Sequence, residues 1–224
     1  MIECNGWKLP DGETHLQQFL TKPETMVDGR GTYQRKKYLR ALGFCKHKRT
    51  AVDIGAHVGL WSWQMARDFK DVQAFEPVES HRICFAVNVP FVPQVRLYPF
   101  ALTSPDKDGF VKMKTDPASS GDTYPDPEND TYDVTDVKTA CLDDFYEIAD
   151  VDLIKIDCEG YEMFVIAGGI YMIEAWRPVI VVEQKPGKAQ KYGLRERQAV
   201  EYLSDQGYSV GAEMSGDFIM VPDG

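Results

Sequence analysis

The sequence predicts an α/β fold: a mostly parallel sheet with helices on both faces and an antiparallel hairpin at its C-terminal end. Three observations carry this. Short apolar runs alternate with helical patterns along the chain. The runs are near-continuously apolar, as strands buried on both faces must be. The last two runs, Tyr208 to Ala212 and Phe218 to Val221, lie close enough to pair as a hairpin.

Taken in order, Tyr33 to Gly43 reads as a helix, with Tyr38, Leu39 and Leu42 apolar and Gly43 at the C-cap. Thr50 to Ile54 is a β-branched strand that stops at Gly55, and Leu60 to Phe69 is helical. Val72 to Phe75 is a second strand, followed by Pro77 at a helix start and a helix through Asn88. Val95 to Leu102 reads as a third strand, and Phe110 to Met113 and Tyr132 to Val137 as two more. Between those two, TDPASSGDTYPDPEND is rich in Pro, Gly, Asp and Ser and reads as a long loop from about Asp116 to Asp130, suited to a lid. A short helix from Leu142 to Ile148 precedes the strand Asp152 to Asp157. A helix from Tyr161 to Trp176, the strand Val179 to Glu183 and a helix from Leu194 to Gln206 lead to the hairpin. Residues 1–49 form an N-terminal helical appendage ahead of a domain spanning 50–224.

Composition narrows the function. A chain of 224 residues, 43% hydrophobic, can bury its own core without disulfides or metal. Its five cysteines are scattered with no CxxC pair, which argues against a zinc or dithiol site and fits a reducing, cytoplasmic setting. No apolar run approaches the roughly 20 residues that span a bilayer. The net charge of -10 repels phosphate backbones, so nucleic acid is not an expected partner. One stretch runs against this balance: Tyr33 to Arg49 carries seven Lys or Arg. Such a run reads first as a solvated helix face and second as a contact for an anionic substrate.

In an open parallel sheet, ligands bind beyond the carboxyl ends of the strands. The first such end, AVDIGAHVG, places Asp53, Gly55 and Gly59 in a D-x-G-x-x-x-G turn. Glycines let the backbone turn sharply under a ligand. His57 and Leu60 break the GxGxxG pattern that pyrophosphate binding needs. The second end, Phe75-Glu76-Pro77, sets a carboxylate 23 residues after Asp53, where related sites hold ribose hydroxyls. A third cluster follows in DLIKIDCEGYE, where Asp157, Glu159 and Glu162 end a strand and open a helix, and Glu183 closes VIVVE at the same rim. Acids gathered there suit substrate orientation, general-base work or a hard cation. Helix N-terminal acids are the bland reading, apt for Glu162 and less so for Asp157.

In that order VDIGAHVGLWS, AFEP, FAL, TACLDDF and above all DLIKIDCEGYE resemble the FkbM-type methyltransferases, from about Thr50 to Val221. The resemblance implies a Rossmann-like class I methyltransferase fold with a seven-stranded sheet. It implies S-adenosylmethionine as cofactor and O-methylation of a hydroxyl on a sugar or small natural product. By position, Asp53, Gly55 and Gly59 would line the methionine part of the cofactor, Glu76 would hold the ribose, and Ala101 and Leu102 would border the adenine. Ala56, His57 and Pro77, inside the same motifs, join the cofactor-binding set, as does Asp157. Asp157 and Glu159 would face the reacting methyl group as the catalytic pair. Related O-methyltransferases hold a divalent ion at these strand ends, so Mg2+ on Asp157, Glu159 and Glu183 is also admitted. A nicotinamide-dependent oxidoreductase of the same fold, and a non-catalytic protein that only binds S-adenosylmethionine, are the alternatives.

Overall fold

The computed structural model describes residues 1–90, 93–107, 109–126 and 134–224. The chain begins with a hairpin of β1 (Ile2–Cys4) and β2 (Trp7–Leu9), then α1 (His15–Leu20). A second small hairpin, β3 (Met26–Val27) and β4 (Arg30–Gly31), precedes α2 (Arg35–Leu42). The expected helical appendage is therefore mixed. Asn5-Gly6 and Asp28-Gly29 take positive φ, which bends each pair of short strands into a tight turn. The first hairpin is pinned to the body, since Asn88 exchanges hydrogen bonds with the Lys8 backbone in both directions.

The main body follows as β5 (Thr50–Ile54), α3 (Leu60–Met65), β6 (Asp71–Phe75), α4 (Glu79–Asn88) and β7 (Val95–Tyr98). Then come β8 (Ala101–Leu102), β9 (Phe110–Asp116), β10 (Ser119–Pro125), β11 (Val134–Ala140) and β12 (Val151–Ile156). The chain closes with α5 (Glu162–Ala167), α6 (Ile170–Trp176), β13 (Val179–Glu183), α7 (Gln198–Asp205), β14 (Tyr208–Met214) and β15 (Asp217–Pro222). Seven strands form one sheet in the order β14-β15-β13-β12-β5-β6-β7. The five from β13 to β7 are parallel, and β15 and β14 add the antiparallel hairpin. This is the expected fold.

Side-chain alternation divides the core. Val52, Ile54, Ile154, Ile156 and Ile180 pack under Val165 and Ile166 of α5 and Leu203 of α7. Ala51, Leu153, Val179 and Val181 pack under Tyr38 of α2 and Trp61 and Met65 of α3. Both faces of β12 are closed, so all six of its residues are buried. Each such aliphatic side chain contributes about 1.5–3 kcal/mol by leaving water.

Four expected elements differ. The strand from Val95 breaks at Pro99, which has no N–H for a ladder, and Ala101–Leu102 pairs with β11 in a second sheet of order β10-β9-β11-β8. The helix from Leu142 is only a turn over Leu142–Asp144, because Asp143 spends its carboxylate on the Tyr171 and Met172 N–H groups at the start of α6. The helix from Tyr161 is split at Gly168-Gly169, where the backbone passes so close to the Thr103 carbonyl that a Cβ on Gly168 would lie 1.9 Å from its oxygen. The long loop is in good part the strand β10, antiparallel to β9, while residues 127–130 of that expectation, with Tyr132 and Asp133, lie outside the described residues. No helix among the described residues is long and apolar enough to cross a membrane.

Candidate active site

The carboxyl ends of β5, β6, β12 and β13 meet at one crevice, with β10 across its mouth, and two adjoining cavities lie there. A polar cavity of about 100 Å³ is walled by Ala56, Asp157, Glu159, Glu183 and Lys185 among others. An apolar one of about 60 Å³ is walled by Phe75, Leu102, Met113 and Tyr161, with Glu76 and His81 among its polar groups. Gly55, His57, Gly121 and Asp157 line both.

Beneath the first turn sits a buried ion cluster. β5 and β12 align Asp53 with Lys155 in register. The Lys155 ammonium lies 3.5 Å from Asp53 Oδ1 and 3.7 Å from Asp157 Oδ2, and donates to the Gly55 carbonyl at 2.8 Å. Ser62 Oγ donates to Asp53 Oδ2 at 2.6 Å. Burial disfavours the Lys155 charge, but Asp157 and Asp53 outweigh it and push its pKa up. Burial also pushes Asp53 up, against the pull of Lys155 and Ser62. Asp53 is fully buried and lines neither cavity, so it holds the turn from below. Gly59 likewise lines neither cavity and lies against Phe85 of α4 and Val89 just after it, setting the helix packing. Gly55 has φ +72, and a Cβ there would lie 2.1 Å from the Asp157 carbonyl oxygen. Only glycine lets the ends of β5 and β12 approach so closely.

Glu76 is 4% exposed and accepts from the backbone N–H of His57 at 2.8 Å and of Val78 at 2.9 Å. His81 Nδ1 is 3.1 Å from its Oε1. Burial would raise the Glu76 pKa, yet His81 and the two backbone donors hold it below the usual range. His81 Nε2 is buried with no hydrogen-bond partner among the described residues. Burial drives the His57 pKa well below its ordinary value, so its ring is neutral, and Nε2 lies 2.9 Å from Ser120 Oγ. Pro77, Ala101 and Leu102 complete the apolar cavity.

At the third cluster the turn after β12 is held by Glu162, whose Oε1 accepts from the N–H groups of Cys158 at 3.1 Å and Gly160 at 2.9 Å. Burial pushes Glu162 up to about 7. Its role is to brace this turn, more than to complement a helix dipole. Asp157, Glu159 and Glu183 converge, each offering an oxygen within 4.8 Å of the others'. Every one of them already faces an ammonium: Lys155 beside Asp157, Lys188 on Glu159 and Lys185 on Glu183. Burial, with Asp157 and Glu159 nearby, pushes the Glu183 pKa up to about 8, against the pull of Lys185. These residues do not fit a divalent ion, which would sit against three ammonium groups.

Sequence reasoning missed Ser120, Glu13 and His81. Ser120 donates to Glu13 through both its backbone N–H, at 2.7 Å, and its hydroxyl. The two lie 107 residues apart, and no local pattern links them. His15, Tyr33 and Gln34 of the N-terminal segment also line the polar cavity.

Comparison with known proteins gives the family. A family model described as the methyltransferase FkbM domain matches residues 53–210. The chain belongs to the FkbM methyltransferase family. The match takes in both cavities' strand ends and leaves out the segment that supplies His15, Tyr33 and Gln34. Among solved structures, methyltransferase FkbM from Methylobacillus flagellatus KT is similar over 90% of this chain, at 14% identity and a TM-score of 0.52. The chain spans about half of that protein, 47% of its length. A precorrin 8W decarboxylase from Methanobacterium thermoautotrophicum is similar over 96% of this chain and 94% of its own, at 14% identity and a TM-score of 0.50. At such identity these likenesses speak to the fold. No curated protein matches the chain.

Proposed function

We propose that the chain transfers a methyl group from S-adenosylmethionine to a hydroxyl of a sugar or small natural product. The observation that carries this is the position of Asp157. Among the described residues it is the one carboxylate lining both the apolar cavity that ends at Glu76 and the polar cavity beside it.

The donor set of the apolar cavity suits a nucleoside. Phe75, Leu102, Met113 and Tyr161 offer flat and aliphatic surface. Glu76 has lone pairs left beyond its three partners, and His81 Nε2 has no partner, so ribose hydroxyls would satisfy both. Bound there, the cofactor supplies a methyl group already activated on a sulfonium. The chain's own part is to align the acceptor and exclude water, which is worth about 7–11 kcal/mol in favourable cases. Asp157 accepts the hydroxyl proton late, as the new bond forms, and the Lys155 ammonium 3.7 Å away aims it. Glu159 lies behind it, tied to Lys188. No step is assigned to a metal.

Cavities of about 100 and 60 Å³ are smaller than the roughly 300–1,000 Å³ typical of ligand pockets. Ser119, Ser120, Gly121 and Asp122 of β10 wall them, so this strand must lift to admit the cofactor. Calorimetric titration with S-adenosylmethionine, its demethylated product and NAD tests the reading. Binding of the first two with no response to NAD supports it, and the reverse pattern defeats it. Methyl transfer from labelled donor to a hydroxyl library then separates an enzyme from a protein that only binds.

A further inference from the structure

The basic run of the N-terminal segment plays no part in the cofactor site, yet its first residues wall a third cavity. This groove encloses about 570 Å³. It shares His15, Tyr33, Gln34 and Lys185 with the polar cavity, so the two are continuous along that wall. Beyond the shared rim its charged walls are Lys22, Arg35, Lys36 and Lys37, against one acid, Glu24. Lys37 is paired with Asp217, and Lys185 with Glu183. Arg35 and Lys36 have no ion-pair partner among the described residues, and Lys22 only rests its ammonium 5.0 Å from the Phe19 ring centroid.

Helix stability does not account for this. Arg35, Lys36 and Lys37 occupy the first turn of α2, which holds no acid, and cations are disfavoured at that end of a helix. The overall charge of -10 makes the concentration of positive charge local to the groove. We infer that the groove seats a phosphoryl group of the methyl acceptor, so that the substrate is a phosphorylated polyhydroxyl compound whose free hydroxyl reaches Asp157. A phosphate monoester carries about -1.5 to -2, which matches two or three unpaired cations where a carboxylate would need one. The Arg35 guanidinium can hold two of its oxygens at once. Phe19 and Tyr33, with ring centroids 5.5 Å apart, give the same wall an aromatic surface for the rest of the molecule.

This rests on the reading of Asp157 as the acceptor's base, and its test is independent of that reading. Glucose 1-phosphate, glucose, glucuronate and inorganic phosphate are titrated calorimetrically into the chain, with and without the demethylated cofactor. The phosphate ester should bind at least tenfold more tightly than glucose or glucuronate. The double variant Arg35→Gln/Lys36→Gln, and separately Lys22→Gln, should weaken it about tenfold and threefold. Removing cations from the first turn of α2 should leave the melting temperature of the double variant equal or higher. Equal affinity for glucose or glucuronate, no binding of either phosphate probe, unchanged binding by all variants, or a melting temperature lowered in the double variant overturns the proposal. If the cofactor titration fails while the phosphate titrations succeed, the methyltransferase reading falls and the groove stands.

Discussion

His57 Nε2 lies 2.9 Å from Ser120 Oγ, which ties the turn after β5 to the strand that covers it. Ser120 in turn donates to Glu13, and Glu13 Oε1 accepts the Leu16 N–H at 2.8 Å. One buried carboxylate thus latches the N-terminal segment, β10 and the turn after β5 together. Glu13→Ala leaves the buried Ser120 and Leu16 N–H groups unpaired, at about 1–3 kcal/mol each. The local opening of β10 should become correspondingly more frequent. Limited proteolysis should then cut within 116–126 faster than in the parent, and the demethylated cofactor should dissociate faster in stopped flow. Identical rates for both proteins would show that β10 is not a latched cover.

Beyond the ribose contact proposed for it, Glu76 also holds the turn after β5, which makes it a sharper probe. It pins the His57 N–H, and His57 sits at φ 52, a left-handed conformation costly for a residue with a side chain. Glu76→Ala should weaken cofactor binding by about 1–3 kcal/mol, read as the dissociation constant of the demethylated cofactor. Glu76→Gln, which still accepts one N–H, should lose less. Equal losses in both variants would assign the effect to charge and not to the turn.

These two networks also show how far the sequence reaches. The strand ends at Asp53, Glu76, Asp157 and Glu183 were legible because parallel strands are unbroken apolar runs and their last residue stands out. β10 was not legible, because Ser119 to Pro125 holds Pro, Gly and Ser in a strand whose stability comes from pairing with β9 and from Glu13 and Lys188, all remote in sequence. The same holds for the break at Gly168-Gly169, which looks like one helix until the Thr103 carbonyl is seen against it. Asp53 read as a ligand-facing residue, and only the burial beneath Lys155 and Ser62 shows it supporting the turn from below.

Lys155→Met should unfold the chain more readily than any single change at the cavity surface. It leaves Asp53, fully buried, without its compensating charge. Breaking a buried pair in this way costs roughly 3–5 kcal/mol. The double variant Asp53→Asn/Lys155→Met, in which Ser62 keeps an oxygen to donate to, should recover a large part of that loss. Chemical denaturation of both variants checks it, and a double variant no more stable than Lys155→Met would show that the pair is not coupled.

Glu162 gives the fold a pH signature. Its carboxyl is fully buried, and burial lifts it from an ordinary value of 4.5 to about 7. The folded chain therefore binds this proton more tightly than the unfolded chain. Its contribution is complete below about 4.5 and is lost as pH rises through about 7. Stability of the parent should fall over that window relative to Glu162→Gln, which has no proton to lose. Denaturation curves at intervals between pH 4.5 and 8 measure the difference, and parallel profiles would place the titration elsewhere.

The last prediction assigns the chemistry to Asp157. Asp157→Asn keeps the side chain's size and its place at the junction of the two cavities. It removes the charge that faces Lys155 at 3.7 Å and the ability to take a proton. Asp53 still faces that ammonium at 3.5 Å, so the cluster beneath the turn should hold and cofactor affinity should be nearly unchanged. Turnover should drop on the order of 10²-fold or more, the usual scale for a positioned proton acceptor. Glu159→Gln, whose carboxylate is already taken by Lys188, should cost less. Because the three converging acids each face an ammonium, a chelator should leave the parent's activity as it was, and added magnesium should not raise it. Activity lost to the chelator and restored by magnesium would mean that the lysines give way to a metal. A variant that keeps its turnover but loses cofactor affinity or stability would make Asp157 a structural residue. The hydroxyl proton would then leave by a group other than this carboxylate.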